Sequence, residues 1–111
     1  MVSIIILSYN KRQLTADCLT SISKNIPKDQ REIIVVDNAS SDDSVAYIKK
    51  HFPEVTLIEN TRNAGFAGGC NVGAKYAKGE YILFLNNDAV LPENPLPEMV
   101  RIAKGDEKIA I

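Results

Sequence analysis

Short apolar runs without polar alternation recur along this chain, and they limit its possible folds more than any other feature. The clearest run is YILFL at residues 81–85, which directly precedes the polar triplet NND. Runs of this length, rich in aromatic and branched residues, are typical of strands buried on both faces of a parallel sheet. Similar runs at residues 2–7, 32–37 and 55–60 predict three more strands, and the last is more polar, as expected near a sheet edge.

Segments with helical spacing of apolar residues separate these runs. In the first, Leu14 and Cys18 share the predicted apolar face, and Pro27 ends the pattern. Further helices are predicted at residues 45–52, 70–77 and 98–104. Helices alternating with buried strands predict an α/β fold, a mostly parallel sheet with alternating β-α units and helices on both faces. Residues 108–111 predict the start of another strand, so we expect a truncated sheet.

Polar side chains follow each predicted strand. In open α/β sheets the carboxyl ends of parallel strands share one edge, where ligands bind. The triplet after the last strand offers only oxygen ligands with one carboxylate, a set suited to Mg²⁺ or Mn²⁺. These residues could instead be ordinary turn formers, but the arrival of four polar clusters at one edge favours a site. The clusters are Ser8–Asn10, Asp37, the loop at 60–69, and Asn86, Asn87 and Asp88.

Composition argues against several other classes of protein. The 111 residues suffice for one domain with a core, and the net charge of −1 provides no basic surface for nucleic acid. No apolar run approaches membrane-spanning length, and the first residues lack a secretion signal, so we expect a cytoplasmic protein. Cys18 and Cys70 lack metal-site spacing and are predicted to be free thiols.

The glycine-rich stretch at residues 61–69 is predicted to be a loop that leads into a helix, and its glycines suggest a nucleotide site. Gly65, Gly68 and Gly73 do not form a dinucleotide-binding motif, because that motif follows the first strand. The chain lacks the Gly-Lys-Ser/Thr sequence that defines a phosphate loop. It also lacks the acidic residues after the first strand that a receiver-type switch domain requires. A nucleotide bound by several strand ends, with a metal at the last, is consistent with the pattern.

Four segments in this order resemble the N-terminal half of family 2 glycosyltransferases. They are SIIILSYN, EIIVVDNASSDDS, NAGFAGGCNVG and YILFLNNDA, and the last two are most similar to the rhamnosyltransferase-like branch. The resemblance implies a GT-A fold and transfer of a sugar from a nucleotide diphosphate donor with inversion. It also implies that residues 1–111 are the donor-binding portion and that the acceptor-binding half is absent.

The same resemblance assigns roles to individual residues. Ser8 and Tyr9 would lie beside the base, and Asp37 would accept its ring N–H. Asp88 would be the metal ligand, for Mg²⁺ or Mn²⁺, in the motif usually written Asp-x-Asp, while Cys70 replaces an arginine found in many relatives. The nucleotide-sugar-binding set implied in full is Ser8, Tyr9, Asn10, Asp37, Asn63, Gly65, Asn71, Asn86 and Asn87.

The resemblance further implies a UDP- or dTDP-sugar donor and a glycan or lipid-linked acceptor, as in polysaccharide synthesis, with peripheral membrane attachment of the full-length protein. Its general base would lie beyond Ile111, so no catalytic residue is assigned and the fragment alone is expected to be inactive. The alternative is a non-catalytic nucleotide-sugar-binding or assembly module. An unpaired sheet edge leads us to expect self-association of the fragment.

Overall fold

The protein alternates strands and helices as predicted, in a computed structural model that describes residues 1–105. The strands are β1 (Val2–Ser8), β2 (Arg31–Asp37), β3 (Thr56–Glu59) and β4 (Tyr81–Leu85). The helices are α1 (Arg12–Asn25), α2 (Ser44–His51), α3 (Gly65–Tyr76) and α4 (Leu96–Gly105), with a 3₁₀ turn at Lys28–Gln30. The strand predicted at 108–111 lies outside the described residues.

The strands form one four-stranded sheet in the order β3-β2-β1-β4, and all three pairings are parallel. The predicted α/β class and parallel sheet are therefore confirmed, as is the position of β3 at an edge. β1 and β2 are almost completely buried, because both faces are covered by helices. The prediction that β4 is equally buried is wrong: only Leu83 is buried, because β4 has one strand neighbour within residues 1–105.

The order of the strands distributes the helices over both faces. From β1 through β3 the chain moves in one direction across the sheet, so right-handed crossovers place α1 and α2 on the same face. The chain then returns past β1 to β4, which places α3 on the other face. Ile4 and Ile6 accordingly pack with residues of α1, whereas Ile5 packs with residues of α3. The reversal lies between β1 and β4, and such a point opens a crevice at the carboxyl edge.

Helix α3 begins earlier than the sequence predicted, because residues 65–69 are helical rather than a loop. Two of its glycines permit a close approach to the sheet. A Cβ at Gly73 would lie 2.6 Å from Cγ2 of Ile5, and one at Gly69 would collide with Leu7. Glycine is unfavourable in helices and therefore predicted a loop, but here its small size allows the helix to pack directly on β1.

Helix α1 covers the other face, and one residue of its predicted apolar stripe is misplaced. Leu14 is 43% exposed, whereas Thr15 is buried in contact with the strand ends. Cys18 is completely buried, which confirms its prediction as a core residue, and both cysteines are free. Among the described helices, none combines the length and apolarity needed to cross a membrane.

At the amino edge of the sheet, the half-buried Glu32 connects β2 to the turn before β4. Its Oε2 atom accepts hydrogen bonds from the Ser3 hydroxyl and from the backbone N–H groups of Lys78, at 2.5 Å, and Gly79, at 3.2 Å. Desolvation alone would raise the pKa of Glu32, but these hydrogen bonds and the charge of Lys78 together lower it below its ordinary value. The carboxylate therefore stabilises the folded state.

Candidate functional site

The carboxyl edge of the sheet brings together most of the polar residues that the sequence predicted there. Ser8 and Asp37 end β1 and β2 and are paired in register, so they are neighbours across the two strands. Asn86, Asn87 and Asp88 follow β4, on the other side of β1. The point where the strand order reverses thus lies between the Ser8–Asp37 pair and the polar triplet, as expected for a ligand-binding crevice.

Asp37 is the most buried carboxylate at this edge, with 2% of its surface exposed. Both of its oxygens accept hydrogen bonds from Ser40: Oδ1 from the hydroxyl at 2.6 Å and Oδ2 from the backbone N–H at 2.9 Å. Within residues 1–105 no cation forms a salt bridge with it. A buried carboxylate without a counter-ion is costly, and each oxygen retains a free lone pair that can accept a further hydrogen bond.

Asn10 joins the loop after β1 to the loop after β2. Its backbone N–H donates to the Ser40 hydroxyl oxygen at 2.7 Å, and its Oδ1 accepts from the N–H of Ser41 at 2.8 Å. Asn10 and Lys11 both have a left-handed φ of 55°, which asparagine tolerates better than most residues. The structure therefore places Asn10 in contact with the neighbouring loop, where its described hydrogen bonds hold the two loops together.

A second set of contacts links β1, α1 and the segment after β4. Thr15 in α1 is completely buried; its hydroxyl donates to Ser8 Oγ at 3.5 Å and accepts from the Asn87 side-chain amide at 3.2 Å. Ser8 is also completely buried, so its hydroxyl faces α1 rather than the open edge. Tyr9, the next residue, is 49% exposed and is the side chain of this pair that a ligand can reach.

The start of α3 is held against the end of β2 by asparagines. The Asn38 side chain donates to the Gly65 carbonyl at 3.2 Å and accepts from the Asn60 amide at 2.8 Å. Asn63 Oδ1 accepts the N–H of Gly65 at 2.9 Å. Gly65 has a φ of +73°, and a Cβ there would meet no atom within 4 Å, so its backbone conformation rather than lack of space favours glycine.

Asn71 does not lie with the other predicted site residues at the carboxyl edge of the sheet. It is exposed in the middle of α3, two positions from both Gly69 and Gly73, which face the sheet. With 3.6 residues per turn, it lies on the opposite side of the helix. Its predicted role in donor binding remains a prediction, and nothing within residues 1–105 connects it to the edge.

The segment after β4 presents two exposed side chains, Asn86 and Asp88, next to the half-buried Asn87. Beneath them the Cys18 thiol lies 3.7 Å from the Asn86 carbonyl oxygen. Burial, together with the nearby charge of Asp88, raises the pKa of Cys18 to about 11. Residues 1–105 contain no group of three or more His, Cys, Asp or Glu side chains that could hold a metal ion. A cation at Asp88 would therefore need most of its ligands from phosphate oxygens and water, as Mg²⁺ commonly does.

Three residues of the site were not named from the sequence: Thr15, Asn38 and Ser40. Ser40 and Asn38 belong to the polar stretch after β2, and the sequence does not show which of its hydroxyl groups contacts Asp37. Thr15 is one position from Leu14, which was assigned to the core in its place. Their roles depend on contacts between distant segments, which periodicity does not reveal.

Comparison with protein families gives a match over nearly the whole chain. A family described as "Glycosyl transferase family 2" matches residues 3–111. The poly(ribitol-phosphate) beta-glucosyltransferase of Bacillus spizizenii is 37% identical over 111 residues, which cover 96% of this chain and 18% of that enzyme. This chain therefore spans about a fifth of the length of that relative.

Solved structures show the same fold. A crystal structure of S. aureus TarS 1–349 in complex with UDP-GlcNAc superimposes with a TM-score of 0.81 at 26% identity, covering 96% of this chain and 32% of TarS 1–349. The mannosyltransferase PcManGT from Pyrobaculum calidifontis, in complex with GDP-Man and Mn²⁺, gives a TM-score of 0.78 at 30% identity, covering 85% of this chain and 29% of that protein. These similarities agree with the GT-A fold expected from the sequence.

Proposed function

The chain belongs to glycosyl transferase family 2, and from this we propose that it is the donor-binding part of an enzyme that transfers a sugar from a UDP- or dTDP-sugar to a glycan acceptor. The observation that carries the proposal is the Asp37 carboxylate. It is buried at the carboxyl edge of the sheet, fixed by Ser40, and lacks a counter-ion within residues 1–105.

A uracil or thymine ring suits this carboxylate, because each carries one imide N–H that can donate to an ionised acceptor. Tyr9 follows Ser8, the strand partner of Asp37, and its exposed side chain offers an aromatic face for the base. The UDP and UDP-GlcNAc complexes of TarS support uridine, whereas the GDP-Man complex of PcManGT is the reason to include guanine in the test. Recognition of the base by Asp37 would select the donor.

The polar triplet after β4 is proposed to bind the diphosphate through a divalent cation. Asp88 supplies a carboxylate, and the exposed Asn86 supplies a neutral oxygen. These oxygen ligands fit Mg²⁺ or Mn²⁺, whose remaining ligands would include phosphate oxygens. When bound, such a cation would neutralise the leaving diphosphate as a Lewis acid. Thr15 would contribute by holding the Asn87 amide and thereby the start of this segment.

The acceptor is proposed to be a polymer of the cell envelope. The support is that a similar protein of B. spizizenii and TarS are named poly(ribitol-phosphate) glycosyltransferases. No general base is assigned within this chain, so we propose that donor binding occurs here and that transfer needs further residues. Membership of the rhamnosyltransferase-like branch and self-association of this chain remain predictions.

Isothermal calorimetry on the parent and two variants would test this function. UDP, dTDP and GDP are titrated with and without Mn²⁺. Asp37→Asn should weaken UDP binding by about 10- to 100-fold under both conditions, since a hydrogen bond to a charged group is worth about 1.5–3 kcal/mol. Asp88→Asn should weaken only the Mn²⁺-dependent part.

The matched control is Asp29→Asn, an exposed carboxylate in the 3₁₀ turn at the opposite edge, which should bind like the parent. If the parent binds neither UDP nor dTDP, the proposal is refuted. Unchanged UDP affinity in Asp88→Asn with Mn²⁺ would refute the metal assignment alone. A parent that binds UDP tightly but never supports transfer, even as part of the full-length protein, would favour the non-catalytic module.

A further inference from the structure

We propose that Ser40 is a positioning residue for nucleotide recognition: with Asn10, it holds the Asp37 carboxylate in the one orientation that accepts the imide N–H of the base. This inference rests on the proposed function, because Asp37 contacts the base only if the chain binds a uridine or thymidine nucleotide. It assigns a role to a serine that neither the sequence pattern nor the family resemblance singled out.

The first step is the geometry around the carboxylate. Ser40 contacts both oxygens of Asp37, with its hydroxyl 2.6 Å from Oδ1 and its backbone N–H 2.9 Å from Oδ2. Two hydrogen bonds from one residue to the two ends of a carboxylate fix its rotation about the Cβ–Cγ bond. The terminal torsion of aspartate is otherwise broad, so the plane of the carboxylate would vary without them.

The second step is the direction of the Ser40 proton. The Asn10 backbone N–H lies 2.7 Å from the Ser40 hydroxyl oxygen and can only donate to it. The hydroxyl therefore acts as acceptor toward Asn10 and has its single proton available for Asp37. Asn10 is itself fixed, because its Oδ1 accepts from the N–H groups of Ser41 at 2.8 Å and Asp42 at 3.3 Å. The loops after β1 and β2 thus form one hydrogen-bonded unit around the carboxylate.

The third step concerns the consequence for binding. Asp37 is 2% exposed, so little room remains for water to reorganise around it when a ligand arrives. An acceptor already fixed in the bound orientation saves the entropy of ordering on association. Ser40 would therefore contribute to affinity without touching the nucleotide, and only for nucleotides whose base has an N–H to donate.

The test compares UDP with N3-methyl-UDP, which lacks that N–H, by calorimetry in Mn²⁺. Ser40→Ala should weaken UDP binding by about tenfold, the value of one hydrogen bond of about 1.4 kcal/mol. The same substitution should leave the affinity for N3-methyl-UDP unchanged. This nucleotide has no N–H to donate to Asp37, so the hydrogen bond that Ser40 supports is already absent. Ser40→Thr, which keeps the hydroxyl, should stay within about threefold of the parent for UDP.

A serine that merely stabilises the loop would weaken both nucleotides equally, and that result would overturn the proposal. Ser23→Ala, which removes an exposed hydroxyl from α1, is the control and should change neither affinity. Ser40→Cys, with a weaker donor of similar size, provides the same comparison if Ser40→Ala does not fold. Failure of the parent to bind either UDP or dTDP would instead refute the proposed function, and with it this role of Ser40.

Discussion

Replacing Glu32 with glutamine should remove a pH-dependent contribution to stability from the amino edge of the sheet. The side chain accepts hydrogen bonds at Oε2 from Ser3, Lys78 and Gly79, and its pKa is lowered in the folded protein. Glutamine can place a neutral oxygen at the same position, so Glu32→Gln tests the charge, whereas Glu32→Ala removes the acceptor altogether. The two variants together separate the charge from the hydrogen bonds.

The expected magnitude follows from the contacts. Hydrogen bonds to charged groups contribute about 1.5–3 kcal/mol, and neutral ones about 0.5–1.5 kcal/mol. Because Glu32 is only half-buried, solvent screens its charge and the lower ends of these ranges apply. We expect Glu32→Gln to lower the free energy of unfolding by about 1 kcal/mol at pH 7, and Glu32→Ala by about 2 kcal/mol.

The pH dependence has a definite sign. A carboxylate whose pKa is lower in the folded than in the unfolded state stabilises the protein above the unfolded pKa, about 4.3 for glutamate. That stability disappears as the pH falls through the folded pKa. The difference between the parent and Glu32→Gln should therefore be full at pH 7 and shrink below about pH 4.3.

Urea denaturation followed by circular dichroism at several pH values between 3 and 7 measures these differences. Glu54→Gln, an exposed glutamate outside the helices and strands, is the control and should match the parent throughout. A Glu32→Gln variant whose deficit stays constant down to pH 3 would show that the charge of Glu32 does not stabilise the fold. A deficit that grows at low pH would contradict the direction of the pKa shift.

Two further substitutions and one labelling experiment test other parts of the structure. Gly73→Ala should cost about 1–3 kcal/mol in urea denaturation, because its Cβ would lie 2.6 Å from Ile5, whereas the exposed Lys75→Ala on the same helix should cost little. Thr15→Val should cost about 1 kcal/mol and release the Asn87 side-chain amide, detectable by NMR, whereas the exposed Thr20→Val should leave that amide unchanged. Cys18 should react with thiol reagents far more slowly than Cys70, because it is completely buried with a pKa of about 11; equal labelling rates by mass spectrometry would contradict this.

The strands and their parallel arrangement could be predicted because a strand buried on both faces needs a continuous run of apolar residues. The apolar runs at β1 and β2 contain no alternation, and the structure buries nearly every residue in them. Glycine was misleading in α3, since a loop and a tightly packed helix both select it. Whether such glycines belong to a loop or to a packed helix depends on which residues face them. Here Leu7 faces Gly69 and Ile5 faces Gly73, and the local sequence does not show these contacts.

The site could be predicted in outline for a related reason. Parallel strands deliver their carboxyl ends to one edge, so Asp37 and the triplet at 86–88 had to share it. The hydrogen bonds within the site could not be predicted, because they join segments far apart in the chain. Thr15 contacts Asn87, and Asn10 contacts Ser40, through geometry that exists only after the sheet has formed.

The central position of β1 also sets an order of assembly. Val2 pairs with Arg31 on one side and with Tyr81 on the other, so joining β1 to β4 closes a loop roughly three times as long as joining β1 to β2. The longer closure costs about 1 kcal/mol more in chain entropy, and non-local pairings form later in folding. The half of the site that contains Asp37, Ser40 and Asn10 should therefore form before the segment with Asp88 docks. Until β4 pairs with β1, one side of β1 is an open edge to which strands of other chains can add. Faster pairing of β4 should therefore reduce aggregation during folding.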